Sequence, residues 1–175
     1  SFIYYHLNTY IIDIMFEDQL GYLIAIECNS RYLYVDCLNR SVFNDPNKRS
    51  TKNIRTTNSV ISSLKRLINK GMKPYRLTGD DEGAFASKEA IEFYDDNNII
   101  WEPVNRMLDG VYPDFMNQKQ TTSPLHSSLG IIDRVIRTLR DMAFNCEVPK
   151  IVPTIMEELV EQYNNAPHRT LSEYA

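Results

Sequence analysis

Three acidic positions carry the chemistry this chain can offer. Asp13 lies in Tyr10-Ile11-Ile12-Asp13-Ile14-Met15-Phe16, an apolar run rich in β-branched and aromatic residues. A carboxylate there costs several kcal/mol unless it is paired or binds a cation. Asp80 opens the acidic run of Thr78-Gly79-Asp80-Asp81-Glu82-Gly83-Ala84-Phe85, directly after a short apolar segment. Consecutive carboxylates repel one another and call for a cation or a basic partner. Asp133 edges the apolar stripe of a later helix, with Arg134 beside it and Arg137 and Arg140 following on its own face. Each acid also has a plainer reading. Asp13 can be a strand aspartate bonded to a nearby amide or basic group, and the acidic run a solvated turn. Asp133 can be a first-turn aspartate favoured by the helix dipole and paired with Arg137. Taken together, they supply carboxylates from a strand, a strand end and a helix start. That set suits a divalent cation and metal-assisted phosphoryl transfer, with the arginines placed to hold phosphates.

The elements that must position these acids follow from periodicity. Tyr10 to Phe16 reads as a central strand buried on both faces. Tyr22 to Cys28 and Arg31 to Leu38 follow across short turns, and the three make an antiparallel meander. Residues 39–56 are polar and loop-like. Val60, Ile61, Leu64, Leu67 and Ile68 keep helical spacing, with Thr57 or Ser59 as cap and Gly71 as stop. Tyr75 to Thr78 is a short strand, Ser87 caps a helix carrying Ala90, Ile91 and Tyr94, and Ile99 to Trp101 is the last strand. Residues 103–124 read as a long loop, of the kind that is usually functional. Ile132, Val135, Ile136, Leu139, Met142 and Ala143 form the clearest helical stripe, and Pro153 starts a final helix. A meander followed by alternating helix and strand implies an α/β fold. It is a five-stranded mixed sheet, the three-strand meander plus two parallel strands, flanked by helices.

Composition limits the remaining classes. The chain has 175 residues, 43% apolar and 24% charged, which fits one globular domain and excludes a disordered, collagenous or coiled-coil protein. No apolar run is long enough for a membrane helix, so no membrane partner is expected. The opening SFIYYHLNTY has no signal-peptide pattern and no initiator Met. We expect residues 1–175 to be one domain cut from a longer protein. Three scattered cysteines, Cys28, Cys37 and Cys146, form no CxxC pair and suit a reducing compartment. The net charge of −4 argues weakly against a nucleic-acid partner, since clustered metal-binding acids can mask a basic face. His6, His126 and His168 have no Ser or Cys partner placed by sequence, so no side-chain nucleophile is indicated.

The sequence resembles the catalytic core of retroviral-type integrases, the DDE/D recombinases with an RNase H-like fold. Four stretches, in order along nearly the whole chain, carry the resemblance. The first is Ile11-Ile12-Asp13-Ile14 with the following YLIAIECNSRYLYV. The second is Leu77 to Phe85, an acid followed by Gly and an aromatic. The third is His126-Ser127-Ser128-Leu129-Gly130-Ile131-Ile132-Asp133-Arg134-Val135-Ile136-Arg137-Thr138-Leu139, with Gly three residues before the acid. The fourth is Tyr163 to Leu171, which closes the final helix. Two departures stand out: the third acid is Asp133 where the family usually has Glu, and the stretch from Asp80 to Asp133 is longer than in retroviral integrases. Both the longer stretch and the Gly-Ile-Ile-Asp-Arg form are most similar to integrases of Maverick/Polinton transposons and virophages.

The resemblance implies 3′-end processing of DNA by water, then strand transfer into host DNA by the new 3′-hydroxyl. It implies that Asp13, Asp80 and Asp133 hold two Mg²⁺ or Mn²⁺ ions, one activating the attacking oxygen and one stabilising the leaving oxygen. Counting back from Phe85 favours Asp80 as the second acid, and counting back from Gly83 gives Asp81. Arg134, Arg137, Arg140 and His126 are the DNA-contact candidates, with a salt bridge as the alternative for Arg140 and a helix-entry contact for His126. The expected partners are double-stranded DNA and a second core, in a homodimer formed through the helix at 57–70 and the last two helices, with higher oligomers on DNA. Location in the host nucleus or a viral factory, with packaging in a virion, follows from the same resemblance. Two other functions remain open: an inactive integrase-like scaffold for dimerisation or DNA binding, and an RNase H-like nuclease that cuts without joining.

Overall fold

The computed structural model describes residues 6–41, 56–80, 83–104 and 124–166, with the side chains of residues 124–128 outside the description. Five strands form one sheet in the order β3-β2-β1-β4-β5. They are β1 (Thr9–Glu17), β2 (Leu20–Glu27), β3 (Leu33–Cys37), β4 (Arg76–Asp80) and β5 (Ile100–Val104). The first three are antiparallel neighbours, and β4 lies parallel to both β1 and β5. This is the mixed sheet expected from the sequence. The helices are α1 (Thr57–Asn69), α2 (Gly83–Ala86), α3 (Lys88–Asp96), α4 (Pro124–Asn145) and α5 (Pro153–Asn165).

Strand alternation sorts the sheet into two cores. Ile11, Met15, Tyr22, Ile24 and Ile26 pack against Ile132, Val135 and Leu139 of α4 and Met156 and Leu159 of α5. Tyr10, Ile12, Ile14, Leu23 and Ala25 pack against Val60, Leu64 and Leu67 of α1 and the aromatics Phe85, Phe93 and Tyr94. All of β2 is buried, which explains its unbroken apolar run. Cys28 is a buried core residue, and burial raises its thiol to a pKa of about 12.

Several boundaries differ from the sequence reading. The α1 cap is Thr56, whose side chain accepts from the amide of Ser59, rather than Thr57 or Ser59. Gly71 follows α1 at φ 117°, a backbone that disfavours any side chain. Ser87 caps α3 as its position suggests. Helix α2 is too short to leave a periodic signal. Of the stretch 103–124 read as a loop, Pro103 and Val104 belong to β5 and Pro124 opens α4, while residues 105–123 lie outside the described residues. Because α4 starts so early, Asp133 stands in mid-helix and not in the first turn. The helix dipole therefore has little hold on it.

Side-chain bonds lock the frame. The Tyr22 hydroxyl donates to the carbonyl of Ile151 at 2.8 Å, tying β2 to the segment before α5. Asn164 accepts from the Leu33 amide at 2.8 Å and donates to the Leu33 carbonyl at 2.9 Å. Its amide thus satisfies the outward backbone groups at one end of the edge strand, as a neighbouring strand would.

Candidate active site

The site grows from the β1–β4 contact. Thr9, Tyr10 and Ile11 pair in parallel with Arg76, Leu77 and Thr78. The same register carried onward sets Ile12 opposite Gly79 and Asp13 opposite Asp80. A packing fact supports that continuation: a Cβ on Gly79 would come within 2.9 Å of the Ile12 carbonyl oxygen and 3.3 Å of Ile12 Cγ1. Gly79 lets the two strands close up immediately before the acids. Residues level on parallel neighbours point to the same face, so this register puts Asp13 and Asp80 on the face covered by α4. Both are half-buried. Asp13 Oδ1 also accepts from the Ile14 amide at 2.8 Å.

Asp80 is the last residue of β4, partnered with Val104 of β5. In open α/β sheets ligands collect beyond such carboxyl ends. The chain beyond it is anchored again at Phe85, fully buried, whose carbonyl accepts from the Tyr94 hydroxyl at 2.7 Å. Trp101 stacks on Tyr94 at 5.3 Å and meets Phe85 at 6.4 Å. That aromatic cluster is the anchor from which the sequence reading counts back to Asp80. Asp81 and Glu82 lie outside the described residues.

Asp133 lies on α4. It is exposed and lines an open cavity of about 490 Å³ with Ile14, Met15 and Phe16 of β1 and with Arg137 and Arg140. This is the stretch of β1 just past Asp13. Among the described residues, no three His, Cys, Asp or Glu stand close enough to hold a metal ion. The register, carried onward, sets Asp13 and Asp80 on one face of neighbouring strands, while Asp133 lines a cavity beside the end of β1. The donors fit a hard cation in kind, because Mg²⁺ is commonly held by one or two carboxylates plus water and substrate phosphate.

The arginines separate into different roles. Arg140 Nε donates to Glu17 at 2.7 Å and its Nη2 to the Phe16 carbonyl at 3.1 Å, so the salt-bridge alternative describes it. Arg134 turns back on its own helix, bonding the Gly130 carbonyl at 3.2 Å. Arg137 lines the cavity beside Asp133. His126 lies outside the described side chains. Two other acids are buried and structural. Asp36 (7% exposed) accepts from Ser63 at 2.7 Å and from Arg66, while Glu27 (6%) accepts from the amides of Asn29 and Ser30.

At the level of sequence, the chain matches no protein-family model and no curated protein. Solved structures do match. The catalytic core domain of BIV integrase aligns at a TM-score of 0.63 and 12% identity, over 93% of this chain and 87% of that one. A chain of the simian T-cell lymphotropic virus intasome, in complex with PP2A regulatory subunit B56 gamma, aligns at 0.60 and 13%, over 93% of this chain and 55% of that one. The HTLV-2 integrase catalytic core domain, in complex with magnesium and in its dimeric form, aligns at 0.54 and 16%, over 92% and 89%. The fold is thus the RNase H-like fold of retroviral integrase catalytic cores.

Proposed function

We propose that this chain is a DNA integrase catalytic core that processes 3′ ends and transfers strands with the help of divalent cations. What supports the reading is an integrase-core fold whose β1–β4 register, carried onward, sets Asp13 level with Asp80. In this reading Asp13, Asp80 and Asp133 hold Mg²⁺ or Mn²⁺, two ions in the active complex with DNA. Bound there, the metal supplies Lewis-acid activation of the attacking oxygen and stabilisation of the leaving one. The chain's own part is placement. The β1–β4 register fixes two carboxylates, the α4 core contacts fix the helix that brings the third, and Arg137 faces the same cavity to meet a DNA phosphate. The HTLV-2 neighbour's complex with magnesium supports the choice of metal.

The partners in this reading are double-stranded DNA and a second core. The simian neighbour is part of an intasome and the HTLV-2 core is dimeric. Beside the edge strand β3, Arg66 on α1 and Glu157 and Glu161 on α5 line one groove, with Arg66 paired to Asp36 and Glu157 to Arg40. Among the described residues no helix is long and apolar enough to cross a membrane. The Gly130-Ile131-Ile132-Asp133-Arg134 form and the long stretch before it favour an element of the Maverick/Polinton or virophage kind, acting in a nucleus or viral factory or carried in a virion.

The test is Mn²⁺ calorimetry, repeated with duplex DNA, on the wild type and on Asp13→Asn, Asp80→Asn, Asp81→Asn and Asp133→Asn, followed by joining of labelled DNA ends. Weaker binding in the first, second and fourth variants, with joined products from the wild type, supports the integrase. Cutting without joining selects the nuclease. The open Asp133 position favours the scaffold as second reading, and absence of metal binding even with DNA selects it.

A further inference from the structure

The face of the sheet beneath α4 carries three rows across β1, β4 and β5. The recorded pairing gives Thr9–Arg76–Ile100, then Ile11–Thr78–Glu102; carried one step beyond the recorded β1–β4 pairs, it sets Asp13 in line with Asp80 and Val104. Glu102 therefore has two diagonal neighbours on β4, Arg76 one row below and Asp80 one row above. Diagonal neighbours on adjacent strands are within reach of a long side chain. Glu102 reaches downward: Arg76 Nη1 bonds its Oε1 at 2.8 Å. Toward Asp80 the same length of side chain spans an equal step.

A second observation marks this patch. Among the described residues, Arg76 Nε and the hydroxyl oxygens of Thr78 (0% exposed) and Thr9 (2%) are buried with no hydrogen-bond partner. Buried polar groups are normally satisfied. Here spare donors gather in the two lower rows, and Thr78 lies level with Glu102 itself. Arg76 Nη1 holds the Glu102 carboxylate toward these rows, where unsatisfied donors lie and no other acid does.

We propose that Arg76 is a positioning residue of the candidate metal site, holding Glu102, a fourth carboxylate, one row below the Asp13–Asp80 pair and away from the cation. The inference rests on the metal-site reading. A cation with few protein carboxylates keeps coordination positions open for water and substrate phosphate. A fourth carboxylate filling one of them tightens the ion and excludes DNA.

The experiment is Mn²⁺ calorimetry on the chain alone and with duplex DNA, for wild type, Arg76→Gln, Glu102→Gln, the double variant and Asp80→Asn. Arg76→Gln is expected to bind Mn²⁺ about tenfold tighter without DNA, because ligand charge sets affinity, and to join DNA less. Glu102→Gln alone stays within about twofold of wild type, and the double variant returns to wild type, a rescue that lost stability cannot produce. Arg76→Lys keeps one cationic donor and tightens binding about two- to threefold, also cancelled by Glu102→Gln; it carries the test if Arg76→Gln does not fold. If Asp80→Asn binds as wild type does, or wild type binds nothing with DNA present, the metal reading falls and the proposal with it. If Asp80→Asn loses binding while each Arg76 variant matches its Glu102→Gln double, the proposal alone is overturned. Weakened binding by Glu102→Gln in the wild-type background also overturns it, because Glu102 is then a ligand already.

Discussion

Asp36 and Asp80 are two aspartates on strands of one sheet, and their surroundings differ in kind. Asp36 is met from α1 by a hydroxyl and a guanidinium, Ser63 and Arg66, so its charge is answered inside the fold. Asp80 follows Gly79, which packs closely on Ile12, and the strand register carried onward sets it level with another carboxylate, Asp13. A carboxylate answered by its own chain is architecture. Two carboxylates set on one face of neighbouring strands are an arrangement suited to a hard cation.

The largest expected effect breaks this comparison directly. Asp80→Asn removes a charge that the fold does not need. It is expected to lower DNA joining by at least about a thousandfold, roughly 4 kcal/mol of barrier. It should leave the metal-free melting temperature within about 2 °C of wild type. Calorimetric melting beside a joining assay checks both. A fall of several degrees would make Asp80 architectural, like Asp36.

Gly79→Ala strikes the contact that creates the pair. The added Cβ meets backbone, the Ile12 carbonyl at 2.9 Å, so a strand must move. Overpacking of this kind costs about 2 kcal/mol. The same shift parts Asp13 from Asp80, so Mn²⁺ affinity should fall with stability, by about tenfold. Unchanged affinity would show that the level placement of the two acids is not what binds the ion.

Asp36→Ala is the mirror experiment. It leaves Ser63 buried and Arg66 half-exposed without an acceptor, and a loss of about 2 kcal/mol is expected. That corresponds to a melting temperature about 4–8 °C lower for a chain of this size. Mn²⁺ affinity should not move.

Much of this was legible before any coordinates. The apolar run around Asp13 announced a central strand with a misplaced charge, and the meander with later β–α alternation announced the mixed sheet. What stayed hidden depends on register. Nothing in the sequence places Arg76 diagonal to Glu102, or Gly79 against Ile12, because strand pairing is settled by tertiary packing. Asp36 shows the same limit. Its strand alternates cleanly, yet only the docking of α1 shows that it is buried. Helix α2 is one turn long, and Pro124 opens α4 well before the apolar stripe becomes regular, so local pattern could not mark either.

The smallest effect distinguishes two arginines on one face of α4. Arg140 is tied to Glu17 and the Phe16 carbonyl, but the pair is half in solvent, so Arg140→Ala should cost no more than about 0.5 kcal/mol. Arg137 lines the cavity beside Asp133, and Arg137→Ala should leave stability within about 0.5 kcal/mol of wild type. The two should part on DNA. Fluorescence-anisotropy titrations across a salt series should show Arg137→Ala binding more weakly, with the logarithmic salt slope reduced by about one, the mark of one lost phosphate contact. Arg140→Ala should keep the wild-type slope, because its charge is already spent on the β1–β2 turn. Equal slopes for the two variants would mean that DNA draws Arg140 off Glu17, and the turn would then belong to the binding surface rather than to the frame.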